Sequence, residues 1–488
     1  MKIPSTQSIR TKIVKINIPL FFLFLTAFGK SQTTEVKSNW KYPVEIDTKI
    51  TSLLNFEFSP ELNSLTLRNR KYQKPTDILP DANYLLLSAF FCSTPDVVAT
   101  ADKQNEMLFD ALVTIKHRSA EWDYVNIRLM MNRIMLSLLQ KSYWETLYQY
   151  YKTTTTLKNS LEKFPTFPPF HTLGEIHNQL YQTLIDYEPA LRHLIPSPLK
   201  TDKKFSLHIW SEGETKIWQT LTAFFDSVDS TNITFESLPR TQTEKIIQIS
   251  YYLSKRNIDQ AAKLLSLKDT SPFDDYFKGR IYLLEGDYVQ AKASFNRHVN
   301  KTEPWIFKHA SILGLFFIDI IETNGQNTTN FKNQIQRLPK SLIYQDEIVE
   351  RELKKTYHPV LLKARLLSDG HQWEKALLAL QDFQPAQASD IHRLEYYYRY
   401  GRIYFLSKKY DHSKEWYQRA LDSQLPNYSY FKAQAAYDCG KISEAMNDFR
   451  QAEQWYNRCI KEAKESSQES LMQMAKMAIN ILHKKGLL

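Results

Sequence analysis

Leu394-Glu395-Tyr396-Tyr397-Tyr398-Arg399-Tyr400-Gly401-Arg402-Ile403-Tyr404 stands ahead of Trp416-Tyr417-Gln418-Arg419-Ala420, and Pro426 closes the stretch. A single glycine inside an aromatic run with helical spacing marks a place where a second helix must come close, because any side chain there would hold the two apart. Tyr417 and Ala420, three residues apart, share one face of that second helix. Working outward, the arrangement recurs. Gly440 is followed by Ala452, Tyr456 and Cys459; Ala364 and Leu367 by Ala376 and Leu380; Gly279 and Tyr282 by Ala291 and Phe295. Successive small residues lie 440 − 401 = 39 and 401 − 364 = 37 positions apart, and Gly279-Arg280-Ile281-Tyr282 returns as Gly401-Arg402-Ile403-Tyr404. A helical hairpin that recurs in this way cannot bury its apolar face alone, so copies must stack.

The pattern of aromatic, glycine, tyrosine and then a second helix with aromatic and alanine resembles the tetratricopeptide repeat, whose period is about 34 residues; the surplus fits in longer turns. A looser hairpin at 244–255 and 259–267 precedes these units, and 305–322 and 343–355 continue helical patterns between them. The expected fold is all-α: a tetratricopeptide-like right-handed superhelix over residues 241–488, with an irregular helical region at 32–200. In that region 122–139 and 144–162 form an amphipathic pair, Phe164-Pro165-Thr166-Phe167-Pro168-Pro169-Phe170 reads as a break, and the Pro- and Lys-containing stretch 196–204 as the boundary. Eleven glycines and 20 prolines in 488 residues leave too few turn residues for a many-stranded sheet.

At the amino end, Lys2, Arg10, Lys12 and Lys15 precede the apolar run Leu20-Phe21-Phe22-Leu23-Phe24-Leu25, with Ala27, Gly29 and Ser31 close behind. Basic flank, short apolar run and small residues are the marks of an export signal at 1–31, with cleavage expected after Gly29 or Ser31. Residues 1–31 hold five basic and no acidic groups, so the remainder carries 63 − 5 = 58 basic against 53 acidic. An excess of ten becomes one of five, which argues against nucleic acid as partner. The nearest approach to a membrane span in the mature chain, 312–321, contains Asp319. Cys92, Cys439 and Cys459 have no metal-ligand spacing, and Cys439 and Cys459, on consecutive helices of one repeat, read as small core residues in preference to a bridge.

No nucleotide-binding glycine loop, His-Glu-x-x-His or Gly-x-Ser-x-Gly turn occurs in the chain, and neither cofactor nor enzymatic activity is expected. His171 and His177 fall on different faces of a helix, and Asp274-Asp275 begins one, where exposed N–H groups favour negative charge. The position after each small residue is basic: Arg280, Arg365, Arg402 and Lys441. Three positions before it stand Tyr276, Leu361, Tyr398 and Tyr437. Stacking would align these into a ladder along the groove, suited to an acidic peptide, a free carboxylate or a charged sugar. Pairing with acids such as Glu395 and Glu444 is the alternative.

Leu361-Leu362-Lys363-Ala364-Arg365-Leu366-Leu367-Ser368-Asp369-Gly370 with Glu374-Lys375-Ala376-Leu377, the 394–404 stretch, Lys163–Pro168 with Leu173-Gly174 and His177, and Ser470-Leu471 with Ala475-Lys476 together resemble a family of exported tetratricopeptide proteins of Bacteroidota. That family is distantly similar to the eukaryotic tetratricopeptide-39 group. His371 stands where the family usually has a second glycine. The resemblance implies protein interaction in the periplasm, with another envelope protein or peptide held in the groove. Two other readings stay open: a carbohydrate-binding or hydrolytic envelope protein with a site near Phe170, His171 and Trp210, and a structural spacer of the envelope.

Overall fold

The computed structural model describes residues 48–49, 52–55, 70–116, 118–187, 196–201, 239, 241–267, 271–301, 306–423 and 430–488. Residues 1–31, residues 202–204 of the expected boundary stretch and Trp210 lie outside them. Among the described residues the chain is built from helices and contains no strand. The helices of the amino-terminal half are α1 (Leu79–Cys92), α2 (Pro95–Thr114), α3 (Ala120–Leu139), α4 (Tyr143–Lys163) and α5 (Pro168–Tyr187). After them come α6 (Gln242–Ser254), α7 (Ile258–Leu265), α8 (Asp274–Glu285), α9 (Tyr288–Val299), α10 (Lys308–Thr323), α11 (Thr328–Arg337) and α12 (Tyr344–Glu352). The last are α13 (Pro359–Asp369), α14 (Trp373–Gln381), α15 (Asp390–Leu406), α16 (Tyr410–Asp422), α17 (Tyr430–Ala445), α18 (Phe449–Glu465) and α19 (Glu469–Lys484). Consecutive helices pair, and the first helices of later hairpins also pack on one another, α8 on α13, α13 on α15 and α15 on α17. This is an all-α, tetratricopeptide-like solenoid.

The glycine notch is the packing device. A Cβ placed on Gly401 would lie 2.6 Å from Tyr417 Cε1, one on Gly440 2.7 Å from Tyr456 Cδ1, and one on Gly279 2.6 Å from Phe295 Cδ1. Phe295 is gripped from its other side as well, by Gly314 of α10, whose Cβ would lie 2.6 Å from Cζ. Each ring is fully buried, so the helices approach as closely as the ring thickness allows and leave no void.

A second device fixes seven of the turns between consecutive helices. Lys141, Arg256, Gly286, His371, Lys408, Asn447 and Ser467 all adopt the left-handed conformation, with φ between 55° and 86°. In each case the next residue donates its N–H to the carbonyl five positions back: Ser142 to Ser137, Asn257 to Tyr252, Asp287 to Tyr282, Gln372 to Leu367, Lys409 to Tyr404, Asp448 to Ser443 and Gln468 to Ala463, all at 2.7–2.9 Å. That bond closes the first helix of the pair. Asn257, Asp287 and Asp448 then cap the second helix by accepting from the N–H of Gln260, Gln290 and Gln451. His371 sits at φ 59°, a conformation in which glycine is relaxed and other residues are strained.

The same turn at Lys141 joins α3 to α4, so the amino-terminal region contains a hairpin of the same construction. The break expected at 164–170 is shorter than the sequence suggests. α4 ends at Lys163 and α5 begins at Pro168, because proline is well accommodated in the first helical turn, where its missing N–H is not needed. One apolar core runs from Leu54 to Leu366 across both sides of the expected boundary. Backbone bonds join the two sides too, Ile306 N–H to the Phe91 carbonyl at 2.9 Å and Leu342 N–H to that of Ser93 at 2.8 Å. α12, an addition between hairpins, contributes Asp346, whose carboxylate accepts the N–H groups of Phe307 (3.3 Å) and Ala310 (3.1 Å) and so caps α10 from outside. Burial pushes the Asp346 carboxyl up, against the pull of His309 beside it.

Gly401→Ala and Gly440→Ala should each destabilise the protein by roughly 1–3 kcal/mol through overpacking against a buried ring. Urea unfolding followed by circular dichroism measures this, and a variant as stable as the parent would show that the notch does not set the helix spacing.

Candidate functional site

The basic ladder lies on the layer of first helices, and the structure divides it. Arg365, Tyr398 and Arg402 come together across α13 and α15, joined by Arg399 and by Tyr430 of α17. All three guanidinium groups act on the Tyr430 hydroxyl, although burial dominates there and pushes its pKa up. Tyr437 and Lys441, about two and three turns further along α17, continue the group. Tyr276 and Arg280 on α8 form a separate pair, with the Arg280 guanidinium 5.8 Å from the Tyr276 ring centre.

Most of these side chains already have partners. Arg402 Nη1 donates to Asp438 Oδ2 at 2.9 Å, bridging α15 to α17. The same Asp438, 2% exposed, accepts from the Tyr417 hydroxyl at 2.7 Å and, through Oδ1, from Gln434 at 3.0 Å. Burial disfavours the Arg402 charge most strongly, but Asp438 together with Tyr398, Tyr417 and Asp369 outweighs it and holds the guanidinium pKa well above its ordinary value. Burial and then Asp438 push the Tyr417 hydroxyl far up, so it stays protonated and donating. Arg365 lies 3.4 Å from Glu352, which also accepts from the Tyr357 hydroxyl at 2.6 Å. Lys441 reaches Glu444 at 3.0 Å on its own helix, and Glu444 accepts from Tyr456 at 2.6 Å. Arg399 and Glu395 pair at 2.6 Å, both largely covered. Of the four ladder positions, Arg280 has no carboxylate within ion-pair distance among the described residues.

The tyrosines divide too. Tyr276 and Tyr398 are each 4% exposed: Tyr276 stacks on Phe307 at 4.4 Å, and Tyr398 packs between Tyr417 and Phe431. Tyr437 is half-buried beside Tyr456. Sequence spacing does not single out Asp438, Glu352 or Arg399, since a charged residue close to an aromatic is common on any helix and nothing in its position says that it will be buried.

The other candidates serve the packing. Phe170 is fully buried against Phe164 and Phe167, and His171 Nε2 lies 2.7 Å from the Pro165 carbonyl. His177 sits 2.7 Å from the Thr154 hydroxyl and stacks on Tyr150. Asp274 opens α8 as expected and in addition pairs with Lys245 at 3.1 Å in a buried contact, while Asp275 binds Arg297 and Lys301. The three cysteines are free and buried, and burial pushes each thiol up to about 12. Among the described residues no group of side chains could hold a metal ion, and no helix is long and apolar enough to cross a membrane.

A family model for the tetratricopeptide repeat matches residues 394–427, the stretch that holds α15 and α16. Comparison with curated proteins and with solved structures finds no match.

Arg402→Ala should cost about 3–5 kcal/mol, because it leaves Asp438 buried without its cation. Arg402→Ala/Asp438→Ala should cost less than the two single changes together, and strict additivity would show that the pair is not coupled. Burial lowers the pKa of both His177 and His298 to about 4. The unfolded chain therefore takes up protons at higher pH than the native one, near 6.5. Stability is fully present above about pH 6.5 and falls as pH drops toward 4, by on the order of 3 kcal/mol for each histidine. Thermal melts at pH 7 and pH 4.5 test this, and His298→Phe should flatten the dependence.

Proposed function

We propose that the chain is an exported interaction scaffold that seats a segment of another envelope protein along its layer of first helices. The tetratricopeptide match at 394–427 carries this reading, since stacked helical hairpins present long concave surfaces to partners. Tyr276, Arg280, Arg365, Tyr398, Arg402, Tyr437 and Lys441 are the candidates on that face. Because Arg365, Arg402 and Lys441 are each balanced by a carboxylate, the face offers donors and acceptors side by side without a large positive excess. A segment of mixed polarity fits it better than a strongly acidic one. Export rests on residues 1–31.

A spacer role is the second reading, favoured by α12 and the turn after it, which place Glu352 and Tyr357 against Arg365 and so cover part of the face with the chain itself.

A photo-reactive residue placed at position 280 or 441, and as control at the outward positions 289 or 378, distinguishes them in the native cells. One partner joined from 280 and 441 but not from the controls is expected. Equal yields from both sets, or none from the inner face, would overturn the groove. The recovered chain should begin at residue 30 or 32; a chain retaining residues 1–29 would count against cleavage.

A further inference from the structure

Large apolar side chains that remain exposed are scattered singly over the described helices, with one exception. On α4, Trp144, Tyr148 and Tyr151 are 60%, 59% and 59% exposed. Steps of four and three residues place them on one face, with axial rises of about 6 Å and about 4.5 Å. Tyr150, on the same helix, is 4% exposed and stacks on His177, so the three outward rings are not an overflow of the core. Tryptophan is among the residues with most area to gain from burial, and three rings at this exposure present roughly 400 Å² of aromatic surface. Such a patch marks a place where something docks.

The rest of the stripe states the chemistry of the occupant. Thr155 and Asn159 continue it, and Lys152 and Lys158, both exposed, have no carboxylate within ion-pair distance among the described residues. Glu162 is the acid on this stripe. No aliphatic side chain is exposed along α4. A helix that sinks into a lipid surface needs aliphatic area around its rings. Sugar rings do not: their C–H faces stack on aromatic faces while their hydroxyl edges meet Tyr hydroxyls, Thr and Asn, and the ring spacing is close to the length of one pyranose unit. The two uncompensated lysines supply the complement for acidic substituents.

We propose that the outer face of α4 binds an extended acidic polysaccharide, with Trp144, Tyr148 and Tyr151 stacking on successive sugars and Lys152 and Lys158 pairing with carboxylate or sulfate groups. The site is independent of the groove on the first helices.

Affinity electrophoresis of the full chain in gels containing polygalacturonate, dextran sulfate or uncharged dextran tests the proposal, with phosphatidylglycerol vesicles in a parallel flotation assay. Retardation by polygalacturonate is expected. Trp144→Ala/Tyr148→Ala should weaken it at least tenfold, and Lys152→Ser/Lys158→Ser severalfold at low salt. These side chains are exposed, and unchanged circular dichroism and melting would confirm that the variants fold. No retardation by either acidic polymer, retardation that survives loss of the rings, or binding confined to the vesicles would each overturn the assignment.

Discussion

Everything in the repeat stack depends on one steric allowance: a missing side chain on the first helix into which a ring of the second helix fits. Phe295, Tyr417 and Tyr456 are large and rigid, and each lies fully buried against the backbone of Gly279, Gly401 or Gly440. With the helices held at that distance, the residue after the glycine is turned toward the neighbouring hairpin. Arg402 can then reach Asp438 on the next first helix. Close packing within a hairpin and polar bonding between hairpins are consequences of the same geometry.

The polar bonding has its own logic. Asp438 is buried, and three donors from three helices converge on it, one of them charged. A carboxylate so placed is costly unless satisfied, and its satisfaction requires α15, α16 and α17 to be in register. Basic residues that look like an open ladder in sequence are therefore partly structural, and whatever the layer of first helices binds must use side chains that are already bonded to one another.

The fold is legible where spacing is decisive. Gly401 with Tyr417 and Gly440 with Tyr456 announce a close helix contact, because a glycine amid aromatic residues weakens its helix and is tolerated where a neighbouring ring needs the space. The Asn257, Asp287 and Asp448 caps, each followed three residues later by glutamine, are also readable as helix starts. The seven turns are harder: one uses glycine, while the other six place Lys, Arg, His, Asn or Ser in a conformation that their side chains do not advertise. α12 is recognisable as a helix, but its role in capping α10 is not, since that depends on a contact 36–39 residues away. The candidate site is legible as to which positions recur, but not as to their partners. Arg365 and Arg280 occupy equivalent places in the repeat, yet one meets a carboxylate supplied by an inserted helix and the other a tyrosine of its own helix. No local pattern encodes the difference.

The turns also determine where this architecture can change length. In the seven turns of this construction the connection is two or three residues, and its single left-handed residue sets the rotation of the second helix about its own axis; one extra residue there would swing Tyr417 or Tyr456 out of its notch by about 100°. Connections between hairpins follow no such rule: 266–273, 300–307, 382–389 and 423–429 share no common sequence, and one interval holds a whole additional helix, α12. Insertions, tags and grafted segments belong in those outer connections, where added length leaves every ring seated against its glycine.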